Sequence, residues 1–129
     1  MGFLDSLFGG KEVNENGQEV KFFTLAALSQ LDEIDAVSET KPVVLFKHST
    51  RCSISRFALK QFDAAFSYPE DKIDWYLLDL LNHRDISNEI AHRYIVHHQS
   101  PQILVISNGK AIYHDSQDGI SAHDLKQFV

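Results

Sequence analysis

The sequence has little cysteine and no long apolar run. Its 129 residues include one cysteine, Cys52, so no disulfide can form within the chain, which excludes a fold held together by its own disulfides. A transmembrane helix would need about 20 consecutive apolar residues. The first residues, MGFLDSLFGGK, lack the basic start and long apolar core of a signal peptide. We therefore expect a cytoplasmic protein, in a reducing compartment, with no membrane span.

Positive charge is also in short supply. There are 12 Lys and Arg residues against 18 Asp and Glu, which gives a formal net charge of -6. An acidic chain of this kind is a poor candidate for nucleic-acid binding, so no nucleic-acid partner is expected. A site for an anion must therefore be a local group of basic residues. One such group surrounds the cysteine in the segment FKHSTRCSIS (46–55).

Three segments predict a strand–helix–strand unit. PVVLFKH (42–48) is almost purely apolar and β-branched, which is typical of a strand buried on both faces. KIDWYLLDL (72–80) is the next strand and should run parallel to the first after a right-handed crossover. Between them, residues 53–66 have an apolar helical face that we expect to pack inward. This face consists of Ile54, Phe57, Ala58, Phe62, Ala65 and Phe66.

A tight hairpin and three capped helices complete the expected elements. Asn108-Gly109 joins two apolar runs within residues 101–116, as in a two-residue type I′ turn. A short strand is expected at residues 21–25. Three residues are expected to cap the helices that follow them, namely Ser29, Asn82 and Ser121.

The order of these elements indicates the fold. It reads β-α-β-α-β-α-β-β-α, which predicts an α/β protein with a central mixed β-sheet flanked by helices. This is the thioredoxin-like arrangement. We expect it to occupy residues 20–129, with residues 1–19 forming an N-terminal lead or linker.

Cys52 lies where the predicted strand ends and the predicted helix begins. The first turn of a helix has unpaired N–H groups, and the helix dipole favours negative charge there, so the thiolate form of the cysteine is stabilised. Lys47, His48, Arg51 and Arg56 add positive charge in the same segment. These side chains are candidates for binding an anionic thiol of low molecular weight, or its disulfide.

Ser55 stands where a second cysteine would stand in a Cys-x-x-Cys redox site. Its hydroxyl can donate a hydrogen bond to the Cys52 thiolate, but it cannot resolve a mixed disulfide. The second half of a redox cycle must therefore come from another molecule. In a thioredoxin-like fold the segment Ser100-Pro101 would lie beside the cysteine and pair with a substrate's extended backbone, and His48 and His98 would flank the thiol.

The segment FKHSTRCSIS, together with HHQSPQILVI (97–106), resembles the monothiol bacilliredoxins, thioredoxin-fold proteins of bacteria that make bacillithiol. The family pattern Phe-Lys-His-Ser-Thr-x-Cys-x-Ile-Ser fits residues 46–55. Many members have proline directly after the cysteine, where this chain has Ser53. The resemblance covers about residues 20–129. Further family positions are matched by Arg84, Ser87, Asn88, His98, Ser100, Pro101 and Gln102.

The resemblance implies that the chain removes bacillithiol from S-bacillithiolated client proteins, through a mixed disulfide on Cys52 that an external thiol resolves. Bacillithiol would be a co-substrate, and no bound cofactor is expected. We assign catalysis to Cys52 and Ser55. Substrate binding is assigned to the residues around them, namely Lys47, His48, Thr50, Arg51, Arg56, His98, Ser100 and Pro101.

Two other functions stay open at this point. One cysteine per chain permits an iron–sulfur cluster shared between two chains with the help of a free thiol, although the Cys-Gly-Phe-Ser motif of cluster-binding glutaredoxins is missing. A thioredoxin-like module that binds a partner strand without catalysis is the second alternative. The seven histidines do not predict a metal site, because no further pair has the spacing of zinc ligands.

Overall fold

A computed structural model describes residues 21–129, so the predicted lead at residues 1–19 lies outside the described residues. The described chain alternates strands and helices as the sequence predicts. In order, its elements are β1 (Phe23–Leu25), α1 (Ser29–Val37), β2 (Val43–His48), α2 (Ser53–Ala65), β3 (Asp74–Asp79), α3 (Arg84–Tyr94), β4 (Gln102–Ser107), β5 (Lys110–Ser116) and the 3-10 helices Gln117–Gly119 and Ala122–Phe128.

The five strands form one mixed sheet in the order β1-β3-β2-β4-β5. Strands β1 and β2 both pair with β3 in parallel, whereas β4 pairs antiparallel with β2 and with β5. This confirms the predicted α/β fold with its strand–helix–strand unit. Because β2 is the central strand, the residues that follow His48 emerge at the middle of one sheet edge.

The two faces of the sheet have separate cores. Val43 and Leu45 of β2 pack with α1 and α3, and Val44 and Phe46 pack with α2 and the C-terminal 3-10 helix. Side chains alternate between the faces of a strand. Lys47 therefore follows Leu45 to the α1/α3 face, and His48 follows Phe46 to the α2 face.

The hairpin forms as expected, but two of the predicted caps are wrong. Asn108 and Gly109 both have positive φ, 51° and 74°, as a type I′ turn requires. Neither α1 nor α3 has a side-chain cap. The side chain of Gln30, not Ser29, accepts hydrogen bonds from backbone N–H groups ahead of α1. Asn82 uses its amide to donate to Asp79 at 2.7 Å.

The C-terminal segment differs from the expected helix in type. Ser121 does cap it, since its side chain accepts from the N–H of His123, but the helix that follows is a 3-10 helix. Leu125 is fully buried against the α2 face of the sheet, as its apolar character predicts. Within residues 21–129, no helix has the length and apolar character that crossing a membrane demands.

Candidate active site

Cys52 links the end of β2 to the start of α2. Its N–H donates to the carbonyl of Ser49 at 3.2 Å, and its carbonyl accepts from the N–H of Arg56 at 3.0 Å. Cys52 is thus the capping residue of α2, but its side chain makes no capping hydrogen bond. The thiol is free and half-buried. It lies where the N–H groups of the first helical turn favour a negative charge.

Ser55 is completely buried one turn along α2. Its Oγ accepts a hydrogen bond from the backbone N–H of Ser49 at 2.9 Å and lies 2.7 Å from Nδ1 of His48. The hydrogen bond that we expected from Ser55 to Cys52 is absent among the hydrogen bonds of the described chain. Through these hydrogen bonds, Ser55 instead links the start of α2 to the turn at Ser49 and to His48, the last residue of β2.

The position of one proton on His48 decides what Ser55 can do. A hydroxyl has one proton to donate and two lone pairs to accept with, and the N–H of Ser49 already uses one lone pair. If Nδ1 of His48 is bare, Ser55 must donate its proton to it. If Nδ1 carries a proton, it donates to Ser55, and the hydroxyl proton is then free for the sulfur of Cys52.

His48 is nearly buried, with 8% of its surface exposed. Burial lowers the pKa of His48, the carboxylate of Asp79 opposes that shift, and the charge of Arg56 adds to it. The net direction is downward, so the imidazole is uncharged at neutral pH. Its two neutral tautomers correspond to the two arrangements of the Ser55 proton.

Lys47 requires a correction of the sequence-based assignment. It is 0% exposed, on the α1/α3 face of the sheet, and its Nζ lies 3.4 Å from the carbonyl oxygen of Ser87 in α3. None of the ion pairs in the described chain includes it. Burial lowers the pKa of Lys47 to about 8. Lys47 is therefore not a surface group that meets an anion at Cys52.

Thr50, Arg51 and Arg56, in contrast, are exposed around Cys52. The guanidinium of Arg56 donates to the carbonyl of Thr50 at 3.2 Å, which holds it beside the turn that precedes the cysteine. Arg51 and Arg56 are accessible to an anionic substrate, as their assigned role requires. That role stays a prediction.

The segment Ser100-Pro101 enters the sheet at the same edge as Cys52. Its peptide bond is cis, and the next residue, Gln102, pairs with Lys47 in the register of β2 and β4. The amide of Gln102 donates to the carbonyl of His97 at 2.9 Å and thereby supports the loop. We did not assign this role from the sequence, where Gln102 only matches a family position at the start of an apolar run.

His98 is exposed in this loop. Partial burial lowers its pKa, and the charges of Lys47, Arg84 and His97 lower it further. The charge of Lys47 thus acts on His98 although the Lys47 side chain is buried. Its predicted contact with substrate is untested.

The structure also corrects the expected burial of the apolar face of α2, part of which lines an apolar groove beside Cys52. Ile54 and Phe57, which we expected to pack inward, are 57% and 66% exposed. They line a cavity of about 170 Å³ together with Ala58, Gln61, Gln117, Asp118 and Ile120. The apolar stripe of α2 is wider than the surface that the sheet covers, and only the structure separates its buried part from its exposed part.

Comparison with known proteins identifies the family to which the chain belongs. The family model described as monothiol bacilliredoxin BrxC matches residues 23–125. The chain belongs to the monothiol bacilliredoxin family. A solved structure described as a proposed oxidoreductase with a thioredoxin fold is 34% identical, with a TM-score of 0.68, over 81% of this chain and 89% of that chain.

More distant similarities concern the fold alone. A thioredoxin of Fasciola hepatica is 16% identical, with a TM-score of 0.62, over 81% of this chain and 92% of its own. A thioredoxin of Malassezia sympodialis is 19% identical, with a TM-score of 0.61, over 81% and 84%.

Family and fold together support a thiol redox role for Cys52 and class this bacilliredoxin with the thiol–disulfide oxidoreductases. The single cysteine makes it a monothiol protein. Among residues 21–129, no three His, Cys, Asp or Glu side chains lie together as ligands of a metal ion would.

Proposed function

We propose that this bacilliredoxin removes bacillithiol from S-bacillithiolated client proteins in the cytoplasm. The observation that carries the proposal is the free, half-buried thiol of Cys52 at the N-terminus of α2. A partly exposed sulfur in an electropositive setting is what thiol–disulfide exchange requires. The family match supports a redox role with bacillithiol as the co-substrate, and the proposal includes no bound cofactor.

The first step transfers bacillithiol to the protein. The Cys52 thiolate attacks the bacillithiol sulfur of the client's mixed disulfide, a bond forms between these two sulfurs, and the bond to the client breaks. The client sulfur leaves as a thiolate and takes a proton from water. Arg51 and Arg56, which are exposed beside Cys52, would attract the carboxylates of bacillithiol during this step.

The second step restores the free thiol. A thiolate from a second bacillithiol molecule attacks the bacillithiol sulfur on Cys52, which releases Cys52 and bacillithiol disulfide. Over the cycle the client sulfur is reduced and the second bacillithiol is oxidised. An external thiol is needed because the position of a resolving cysteine is taken by Ser55, whose hydroxyl cannot attack a disulfide productively.

The proposal predicts that Cys52→Ser abolishes the release of bacillithiol from a purified S-bacillithiolated client. Without free bacillithiol, the wild-type chain should release one client thiol per chain and gain the mass of one bacillithiol at Cys52. With free bacillithiol, turnover should continue. The measurement is mass spectrometry of both proteins over time.

Ser53→Ala, a change at the exposed neighbour of the cysteine, is the matched control and should keep the wild-type rate. A client that stays modified in the presence of the wild-type chain contradicts the proposal. So does release at the wild-type rate by Cys52→Ser.

A further inference from the structure

A cavity of about 270 Å³ opens on the flank of α2, on the His48 side of the sheet. The mechanism above does not use it. It is separate from the apolar groove at Ile54 and Phe57, and Arg56 is the residue that connects it to the surroundings of Cys52. Its lining consists of Phe22, His48, Arg56, Leu59, Lys60 and Asp63.

The polar lining residues continue from Cys52 along one face of α2. Arg56 and Lys60 follow Cys52 at intervals of four residues, and Asp63 follows three residues later. Residues spaced in this way share a helix face. At 1.5 Å per residue, Arg56 lies about 6 Å and Lys60 about 12 Å along the axis from Cys52. The two cations therefore lie within the reach of a small molecule attached to the cysteine sulfur.

Both cations are available to a ligand. None of the ion pairs in the described chain includes Arg56, Lys60 or Asp63. Within residues 21–129, Arg56 makes one hydrogen bond, to the uncharged carbonyl of Thr50, which leaves its other donors available. In a chain with a net charge of -6, two unpaired cations on the rim of one cavity form a local site of positive potential.

We propose that this cavity binds the carboxylates of the low-molecular-weight thiol whose sulfur reacts at Cys52. The inference rests on the proposed function and adds the place where the non-sulfur part of the co-substrate lies. Arg56 can hold a carboxylate with two parallel hydrogen bonds, and Lys60 supplies a point charge one turn farther on. Phe22 and Leu59 form the apolar wall. Asp63 lies at the far end of the cavity, where its carboxylate opposes the positive charge and its backbone carbonyl accepts a hydrogen bond from the ammonium of Lys21 at 2.7 Å.

The alternative cations beside Cys52 fit this role less well. Lys47 is fully buried on the opposite face of the sheet. Arg51 is exposed in the turn before the cysteine and does not line the cavity. The site therefore depends on α2, and removing its two cations should weaken binding of the anion without disturbing the fold, because both side chains are exposed.

The test compares two disulfide reagents that differ in charge. We would measure the rate constants for reduced full-length protein with 5,5′-dithiobis(2-nitrobenzoic acid), which carries carboxylates, and with neutral 4,4′-dithiodipyridine. The ratio of the two rate constants removes any general change in the reactivity of Cys52. At low ionic strength, Arg56→Gln combined with Lys60→Gln should lower this ratio about threefold for each charge removed, the size expected for unit charges about 6 Å apart in water.

Three further results are expected of a real site. Lys72→Gln removes an exposed positive charge at the opposite edge of the sheet, just before β3, and should leave the ratio unchanged. Asp63→Asn should raise it. At about 1 M salt, where the screening length is about 3 Å, the differences should disappear. An equal ratio in the double variant and in Lys72→Gln overturns the inference.

The same variants separate this inference from the proposed function. If the ratio falls as expected but no variant, nor the wild type, releases bacillithiol from a client, the anion site stands and the proposed function fails. If the wild type and the double variant release bacillithiol with equal KM and the ratio does not change, the function stands and the cavity is not its binding site.

Discussion

Lys47 and His48 are consecutive basic residues of β2 with opposite surroundings. Lys47 is buried against α3, where it has one long contact to a backbone carbonyl and, among the described residues 21–129, no carboxylate partner. His48 is joined through Ser55 to the helix that carries Cys52. The difference follows from the alternation of side chains along a strand. It shows that the face of the sheet, and not closeness in sequence to the cysteine, determines which basic residue belongs to the active site.

The largest predicted change in stability comes from replacing Lys47. A buried ammonium without a counter-ion destabilises the folded state, and burial lowers the pKa of Lys47 from 10.5 to about 8. Lys47→Met should therefore raise the free energy of unfolding by about 3 kcal/mol at pH 7, since each pKa unit corresponds to about 1.4 kcal/mol. Urea unfolding of the two proteins measures this difference.

The pH dependence of this stability gain tests its direction in a second way. Below pH 8, Lys47 is charged in both the folded and the unfolded chain, so the gain from Lys47→Met is complete. Between pH 8 and 10.5 only the unfolded chain keeps the proton, and the gain shrinks. Lys41, whose Nζ lies 2.9 Å from Asp74, is the matched control, and Lys41→Met should not stabilise. A Lys47→Met protein that is less stable than the wild type would mean that the ammonium has a strong partner.

The next largest change in stability is expected at one of two buried serines, which lie on helices packed against opposite faces of the sheet. Ser55→Ala removes the acceptor of the Ser49 N–H and the partner of His48. Leaving these buried groups unpaired should cost about 2 kcal/mol of unfolding free energy. Ser87→Ala should change it little, because Lys47 contacts the backbone carbonyl of Ser87, which alanine retains. Equal losses in the two variants would show that the Ser55 pair contributes no more than ordinary packing.

The sequence predicted the strands and helices better than it predicted the hydrogen-bond partners of single side chains. β2 and the hairpin carry strong local signals, a proline followed by β-branched residues and an Asn-Gly pair. The caps at Ser29 and Asn82 failed because each helix begins one residue away from the expected start, so that Leu28 precedes α1 and His83 precedes α3. Local sequence rules do not locate a helix end to a single residue.

Within the candidate site, the position of Cys52 could be predicted and its surroundings could not. A strand buried on both faces shows no alternation of polar and apolar residues, so nothing in the sequence tells Lys47 from His48. The Ser55 pair forms because the turn at Ser49 brings β2 back against the first turn of α2. Ile54 and Phe57 have the spacing of a buried face but lie outside the part that the sheet covers.

The smallest predicted effect concerns the protonation of His48. Because the folded state lowers the pKa of His48 below 6.5, the unfolded chain binds this proton more readily. Stability contributed by the neutral imidazole is therefore complete above about pH 6.5 and is lost as the pH falls below it. His48→Asn keeps a polar atom near the position of Nδ1 without this titration. It should lose less stability than the wild type between pH 7 and pH 5, measured by urea unfolding.

Other groups that titrate in this range affect both proteins, so the readout is the difference between them. The charges that act on His48 are those of Asp79 at the end of β3 and Arg56 on α2, and Lys60 and Asp63 line the same cavity as His48. If His48→Asn retains the wild-type pH dependence of stability, His48 does not titrate differently on folding. The contrast with Lys47 would then rest on the hydrogen bond to Ser55 alone.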